Sequence, residues 1–514
     1  MSHERPTDSG TQLREQTSAG RTPARLTSRA VAPMLLAVSV GCVSTRTVPP
    51  AAAVAVPAAW QHVDQDAGVR ATGAQEDLSG WWMRLDDATL SGLIDTAMKG
   101  SPTLRSAGAK LREARASRGL AGKDYLPTVT ATVSASRSRS SQGGEVAGGQ
   151  GGLNIPGTQN LYSAGFDASW EPDIFGATSS AVRAAQADLE TSEADLQSAQ
   201  VSLAAEVARN YVELRSYQGH LKIARDNLRS QDEILELVTW RAQAGLVSEL
   251  DVQQARTTVE QTRATIPAIE ANVAASEHRL AVLTGQPPTA LSQLLAAPAE
   301  IPKVPDHLAV GIPADTLRQR PDVRSTERKL VAATARVDQA RAALYPTLSL
   351  SGSLGLESLT FHGLTGSDAV NHSVLGSLAA PIFDRSRLKL QIEVKSAEQE
   401  QALSSYESTI LSALEDVENA LVSLGNARRR CAALSDAAQA AQAAAALARS
   451  RYTAGLVAYS TVLDTERTLL SVEDDLTTCV ADGTLAAVQL YKALGGGWEA
   501  TPSAKAPQPR RDPR

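Results

Sequence analysis

The longest apolar pattern in the chain runs from Gly176 to Val247 and predicts one very long helix. Apolar or small residues recur at spacings of three and four with no proline among them, as in the seam of a coiled coil. Members of this seam include Val182, Leu189, Leu196, Leu203, Tyr211, Leu221, Leu228 and Leu235. About 65 residues at 1.5 Å each form a rod of roughly 95–100 Å. No compact domain can bury such a rod, so we expect it to pack against similar rods.

The same pattern occurs again from about Arg385 to Tyr452. The first rod ends in Ala244-Gly245-Leu246-Val247 and the second in Ala454-Gly455-Leu456-Val457, which lies 210 residues later. Ahead of the rods, Arg320-Pro321 matches Ser101-Pro102 at an offset of 219. A chain with such matches is predicted to use one structural unit twice, over residues 78–300 and 301–498.

Four segments alternate between apolar and polar residues and predict strands at about 127–137, 161–171, 346–357 and 372–382. In the first, Val129, Ala131 and Val133 face one way, and Thr130 and Thr132 face the other. About ten residues is the length of a tilted strand that spans a membrane. Each strand pair precedes a long helical hairpin, predicted over residues 177–284 and 385–494.

Four strands cannot close a barrel, and open sheet edges are not tolerated in lipid. We therefore expect several chains to assemble, with the Ser, Thr and Asp face around a water-filled lumen. The alternative is a soluble β-sandwich attached to a coiled coil, which would favour bulkier inward residues.

The amino terminus has the pattern of an export signal. Five arginines within residues 1–29 precede an apolar run, Ala30 to Gly41, that is too short for a permanent membrane helix. Residues 1–41 are predicted to be a signal peptide with an N-terminal extension, and Cys42 is the candidate lipidation site. Ser39 stands where such sites usually carry an aliphatic residue, so an ordinary export signal cut nearby is the alternative. Residues 42–77 are predicted to be a lipidated flexible tether, and residues 499–514 a disordered tail.

Composition excludes several other classes of function. The 514 residues carry a net charge of -6, and their Lys and Arg form no basic stripe, which argues against a nucleic-acid partner. No phosphate-binding loop, nucleophile elbow or clustered histidine pattern is present. We therefore predict no enzyme activity, no cofactor and no metal site.

Seven short motifs carry a resemblance to a known family. They are Trp81-Trp82, Tyr125-Leu126-Pro127, Trp170-Glu171-Pro172-Asp173-Ile174-Phe175-Gly176, Gly245-Leu246-Val247 with Leu250-Asp251-Val252, Leu283-Thr284-Gly285, Arg320-Pro321-Asp322-Val323, and Leu494-Gly495-Gly496-Gly497-Trp498. Together they resemble the outer membrane factors, which are the TolC-like and NodT-type lipoprotein exit ducts of tripartite efflux pumps.

The resemblance implies a mostly α-helical homotrimer whose twelve strands, four from each chain, form an outer membrane β-barrel. A periplasmic α-helical barrel of coiled-coil hairpins would continue it. The family conducts passively, with energy supplied by an inner membrane transporter through a periplasmic adaptor, or membrane fusion, protein. Acylation at Cys42, with Val43 rather than Asp next to it, implies a lipid anchor in the outer membrane.

Three residues match the family's periplasmic gate. Asp464 would line the closed aperture, and three copies of its carboxylate would favour cations; the alternative is an aspartate placed for the helix dipole. Tyr452 and Asp251 match a pair that ties neighbouring coiled coils shut. The family's basic partner in that latch falls at Val457, which carries no charge.

Two apolar turns end the rods, at Gly245-Leu246-Val247 and Gly455-Leu456-Val457. Exposed Leu and Val have no role at the tip of an isolated soluble protein, so these turns are the candidate docking site for the adaptor. The alternative is helix-ending chemistry, in which Gly supplies a left-handed residue.

Two cysteines lie on the facing seams of the second hairpin. If Gly455 is its centre, partner numbers add to 910, which pairs Cys431 with Cys479 and Ala427 with Gly483. Helix axes usually lie 8–10 Å apart, whereas bridged Cα atoms need about 4.4–6.8 Å, and the small neighbours favour a close approach. A disulfide in the oxidising periplasm and two packed thiols both remain open.

These patterns favour a duct for small-molecule efflux. Two alternatives are a duct for protein secretion and a surface-anchored coiled-coil scaffold without a pore. Conductance in a planar bilayer separates the scaffold from both ducts.

Overall fold

The computed structural model describes residues 47–62, 69–71, 78–139 and 158–498. The helices are α1 (Ala88–Gly100), α2 (Pro102–Lys123), α3 (Ala177–Gln243), α4 (Glu249–Leu283), α5 (Ser292–Leu295), α6 (Pro313–Gln319), α7 (Pro321–Ala342), α8 (Arg385–Thr453) and α9 (Tyr459–Ala493). The strands are β1 (Val69–Ala71), β2 (Thr128–Arg139), β3 (Thr158–Trp170), β4 (Leu308–Val310), β5 (Thr347–Ser358) and β6 (Val370–Ala379). None of the helices in these ranges combines the length and the apolar run needed to cross a bilayer.

Helices α3 and α8 are the two rods that the apolar pattern predicted. They contain 67 and 69 residues, so each is about 100 Å long. Each is followed by a 35-residue antiparallel partner, α4 or α9. Pro267 lies inside α4, and the helix continues through it to Leu283. Many of the residues that α3 buries are alanines, including Ala184, Ala187, Ala194, Ala204 and Ala208, and their small size lets neighbouring helices approach closely.

The large sheet is antiparallel and has the order β2-β3-β5-β6. Its registers keep the predicted alternation: Val133 lies opposite Ala164, and Leu354 opposite Phe166 on the same face. The other face pairs Thr128 with Ser169, and neighbouring hydroxyls there hydrogen-bond at 2.7–2.8 Å in both hairpins. One face is therefore apolar and the other is lined with hydroxyl groups. Strands β1 and β4 form a separate small parallel pair.

A compact core joins the two halves of the chain midway along the rods. Trp81 is fully buried and stacks on Tyr491, with ring centroids 5.1 Å apart. The glycines that end α4 and α9, Gly285 and Gly495, have φ of +77° and +78°, and their neighbours leave no room for a side chain. In the same core Tyr211 Oη donates to Asp87 Oδ2 at 2.7 Å, and burial raises the Tyr211 pKa to about 12. This core fixes where the four long helices cross.

The described part of the predicted flexible tether is held against the helices. Residues 47–62 form an extended strap whose backbone N–H groups at Ala53 and Gln61 each donate to a glutamate, Glu407 and Glu418, at 2.9 Å. Trp60 is buried, and its indole N–H donates to the Gly311 carbonyl at 2.7 Å. This part of the tether therefore has backbone donors that meet carboxylates along α8, and the flexibility of the tether stays a prediction.

In the second hairpin, residues of α8 and α9 face each other in the pairs expected when Gly455 is the centre. Cys431 and Cys479 are joined by a disulfide with Cα atoms 5.6 Å apart. A Cβ placed on Gly483 would lie 3.7 Å from the Ala427 Cβ, so these two residues face each other as the sum of 910 requires. The small pair allows α8 and α9 to approach closely enough for the bridge.

We expect this disulfide to stabilise the hairpin. Reduction, or the change Cys431→Ala with Cys479→Ala, should lower the free energy of unfolding by about 2–4 kcal/mol, because the bridge limits the unfolded chain. Pulse proteolysis in urea measures the change, and Ala438→Ser on the same helix is the control. Peptide mass spectrometry of exported, unreduced protein that found two alkylatable thiols would refute the bridge.

Candidate functional site

The two helix-connecting turns, which we call the tips, are residues 244–248 and 454–458. Each ends its helix with the same hydrogen bonds: Leu246 N–H donates to Arg241 O, and Leu456 N–H to Arg451 O, both at 2.9 Å. Gly245 and Gly455 have φ of +67° and +76°, which is why glycine ends both helices. The turns therefore have the helix-ending chemistry that was the alternative reading of their sequence.

Helix-ending chemistry does not account for the leucines. Leu246 and Leu456 are each 73% exposed, while the following valines, Val247 and Val457, pack against a buried cluster. That cluster is Val238, Ala255, Ala448, Tyr452, Tyr459, Val462 and Leu463. Each tip thus presents one leucine to solvent on a well-packed base, an arrangement suited to contact with another protein.

Arg241 connects the ends of the two rods and was not among the residues predicted from the sequence. Its guanidinium donates to the backbone oxygens of Tyr452 at 2.7 Å and Thr453 at 2.6 Å. It also lies over the Tyr452 ring, 4.7 Å from the centroid. The last carbonyls of a helix lack intrahelical partners, and a cation there also suits the helix dipole. A signal was present, since Arg241 and Arg451 occupy the same place before the two Gly-Leu-Val turns.

The predicted latch of Tyr452 and Asp251 is not formed within the chain. Asp251 accepts hydrogen bonds from Ser248 N–H at 3.0 Å and Ser248 Oγ at 2.8 Å, so it caps its own helix α4. The Tyr452 hydroxyl is buried and has no hydrogen-bond partner among the described residues. Burial, with the nearby Asp251 charge as a smaller contribution, raises the Tyr452 pKa, so its hydroxyl stays protonated at neutral pH. Within the described ranges it is therefore a hydrogen-bond donor without an acceptor.

Asp464 is exposed on α9, whereas the two residues before it, Val462 and Leu463, are buried. Two residues further on, Glu466 is buried and receives a hydrogen bond from Arg449 of the facing helix α8. The hairpin therefore fixes the backbone beneath Asp464, while its carboxylate points away from the packed base of the tip.

The large sheet is the second part of the site. Its apolar face is exposed, with Val133 at 85% and Val374 at 90%. Both outer strands, β2 and β6, have a partner on one side only within the described chain. A sheet with an exposed apolar face and two unpaired edges is suited to lipid on that face and to further strands at its edges. The predicted lipidation site, Cys42, lies outside the described residues.

Comparisons with known proteins find a matching family and similar chains. The family described as outer membrane efflux protein matches residues 93–286 and 312–496. The chain is 34% identical over 470 residues to the pyoverdine export outer membrane protein OpmQ of Pseudomonas putida, covering 90% of this chain and 97% of that one. It is 32% identical over 418 residues to the toluene efflux pump outer membrane protein TtgI of Pseudomonas putida, covering 80% and 86%. A solved structure of the outer-membrane channel OprN is 34% identical, with a TM-score of 0.80, and the match covers 88% of this chain and 99% of that one.

Arg241 should hold the end of α8 in place. In Arg241→Met the carbonyls of Tyr452 and Thr453 lose their charged donor, at a cost of about 1.5 kcal/mol in local opening. We expect backbone amides of residues 452–456 to exchange hydrogen about tenfold faster. Hydrogen-exchange mass spectrometry measures this, and Arg256→Met, an exposed arginine on α4, is the matched control. Equal exchange in both variants would show that Arg241 does not hold the helix end.

Proposed function

We propose that this chain, which belongs to the outer membrane efflux protein family, forms the outer membrane duct of a tripartite efflux pump. The observation that carries the proposal is the continuity of its parts. A sheet that is apolar on one face leads directly into helices about 100 Å long, which end in exposed leucines. Such a molecule can reach from a membrane to a distant partner.

Closure of the barrel requires other copies of the chain. The sheet has four strands, and lipid does not tolerate the unpaired backbone groups of β2 and β6. Three copies would give the twelve strands that the family resemblance implies. The apolar face would then meet lipid, and the hydroxyl face would line a lumen wet enough for polar solutes.

Conduction through this lumen would be passive. The chain would act as an exit path for small molecules, and an inner membrane transporter would supply the energy through a periplasmic adaptor. The names of the relatives refer to cargoes as different as pyoverdine and toluene. This variety supports a duct of broad tolerance, in which the transporter selects the cargo.

A lipid on Cys42 would add a membrane anchor. Thr47 binds Asp338 on α7, nine residues before β5 begins, so the strap starts close to the sheet. The five residues from Cys42 to Thr47 span at most about 18 Å. An acyl chain at Cys42 is therefore within reach of the same membrane as the sheet, and the mass of the mature N-terminal peptide tests for it.

The proposed gate predicts a change in ion selectivity. Asp464→Asn keeps the side-chain shape and removes the charge, so the preference for cations should fall severalfold if three carboxylates surround the aperture. The reversal potential in a planar bilayer under a KCl gradient measures this preference, and Asp436→Asn, an exposed aspartate of α8, is the control. Absence of any channel would refute the duct, whereas an unchanged reversal potential would remove only Asp464 from the pore.

The proposed docking surface predicts a loss of efflux. The double variant Leu246→Glu with Leu456→Glu places charges where an adaptor would bury two leucines. Burial of each leucine would contribute about 1.5–3 kcal/mol to the free energy of binding. Both side chains are exposed, so the fold and barrel should be unaffected. Adaptor cross-linking in cells and cargo accumulation measure the effect, with Leu294→Glu on α5 as the control. Full efflux in the double variant would show that the tips are not the contact.

A further inference from the structure

The charged residues of the large sheet are sorted between its two faces. Its four strands contain two arginines, Arg137 and Arg139, and two acidic residues, Asp167 and Glu357. The register places both arginines on the apolar face, together with His372, and both acidic residues on the hydroxyl face. Within the described strands, the apolar face therefore carries positive charge and no carboxylate.

Both arginines lie at the end of the sheet that is farthest from the long helices. Strand β2 begins at Thr128, shortly after α2, and β3 ends at Trp170, shortly before α3. Arg137 lies opposite Asn160, which is ten residues before Trp170 on β3. That separation is about 34 Å along the strand, or about 26 Å along the bilayer normal for a tilt of about 40°. The apolar band of an outer membrane barrel is about 25 Å tall, so Arg137 reaches its far edge.

Aromatic residues lie at both edges of this band. Near the helices, the Trp170 indole N–H donates to the Tyr125 carbonyl at 3.0 Å. At the other end, Tyr162 lies one step below the arginines on the same face, and its ring packs edge-on against Phe361 with centroids 6.0 Å apart. Tyr and Trp favour membrane interfaces, because one end of each side chain is apolar and the other is polar. The arginines therefore lie just beyond the second aromatic level, where lipid headgroups begin.

Four side chains that can donate hydrogen bonds come together at this end of the apolar face. Arg137 lies opposite Asn160, and Arg139 lies opposite Thr158. Residues two apart on a strand are about 7 Å apart, and opposite residues have Cβ atoms about 5 Å apart. Both arginines are exposed, and neither guanidinium has an ion pair or hydrogen bond to another residue that the structure describes. A guanidinium can bind phosphate through two parallel N–H···O bonds, so the cluster has the donors that a phosphate requires.

We propose that this cluster binds the phosphate headgroup of an anionic lipid in the outer leaflet, with Arg137 and Arg139 as its main contacts. The inference rests on the proposed function, which puts the helices in the periplasm and the apolar face in lipid. The acyl chains lie on the exposed side chains below the cluster, such as Val133 and Phe166 at 85% and 60% exposure. A lipid gains from the apolar surface and from the charges together, whereas a free phosphate ion gains only from the charges.

Lipid binding by the purified full chain tests the site. The probe is lipid A, a glucosamine lipid with two phosphates, which is added to detergent-solubilised protein and counted by native mass spectrometry. Arg137→Gln with Arg139→Gln removes two charges at the membrane surface and should weaken lipid A binding roughly thirtyfold. Arg137→Lys with Arg139→Lys keeps both charges and should retain most of the affinity. Arg229→Gln with Arg256→Gln, which changes two exposed arginines of α3 and α4, is the matched control and should bind as the unmodified protein does.

An exchange between the two faces separates position from composition. The fourfold variant Ser136→Arg, Arg137→Ser, Ser138→Arg and Arg139→Ser keeps the composition of β2 but moves both charges to the hydroxyl face. It should bind lipid A as weakly as the glutamine variant. Binding equal to that of the unmodified protein would overturn the site.

The other outcomes separate this site from the function on which it rests. Equal binding of phosphatidylethanolamine, whose headgroup has no net charge, would overturn the recognition of an anionic lipid. Release of lipid A by excess inorganic phosphate, but not by chloride of equal ionic strength, would show a site for the ion alone and overturn the lipid assignment. Conductance of each variant in a planar bilayer is the remaining measurement. Absence of a channel in the unmodified protein would refute the duct, whereas conducting variants that all bind lipid A equally would refute only this site.

Discussion

Two helices of 67 and 69 residues cannot be stabilised by a globular core, because only a narrow stripe of each can be covered by neighbours. Every other feature of this chain adapts to that constraint. The stripes are rich in alanine, which brings the helix axes close together and increases contact along the whole length. Bulky side chains are concentrated at two levels, the Trp81–Tyr491 core midway along the rods and the tyrosine cluster beneath the tips.

These two levels fix different properties of the molecule. At the midway core, glycines with positive φ and stacked aromatic rings leave little room for adjustment, so the crossing of the helices is rigid. At the tips, the buried Tyr452 hydroxyl has no acceptor among the residues that the structure describes, and the Asp251 carboxylate caps its own helix. Polar groups of this kind are costly when buried, so they favour rearrangement or an added partner at this end. The structure thus joins a stiff centre to an end that retains unused hydrogen-bonding groups.

Much of this could be predicted from the sequence, since long periodic patterns leave few alternatives. The spacing of apolar residues located α3 and α8. Strict alternation located three of the four long strands, and a less regular alternation located the fourth. With Gly455 as the centre of the second hairpin, Cys431 was paired with Cys479. The family resemblance stated from seven motifs is confirmed by the matched family. Single contacts between distant segments were not predictable. The donation of Arg241 to two carbonyls had only the repeated arginine before the two turns as its signal. The short pairing of β1 with β4 depends on backbone groups that leave no trace in side-chain patterns.

The strap of residues 47–62 shows how such backbone contacts affect what a sequence can reveal. Glu407 and Glu418 on α8 accept from its main-chain N–H groups, and only a few of its side chains, such as Trp60, Ala52 and Val54, enter packed positions. Most of its side chains are therefore free to vary as long as the peptide N–H groups at Ala53 and Gln61 are kept. A segment that is bound through its backbone N–H groups can consist mostly of Ala, Pro and Val and still bind at the same place. The place of this stretch on the helices is therefore set largely by its peptide groups and by the acidic residues of α8 that accept from them.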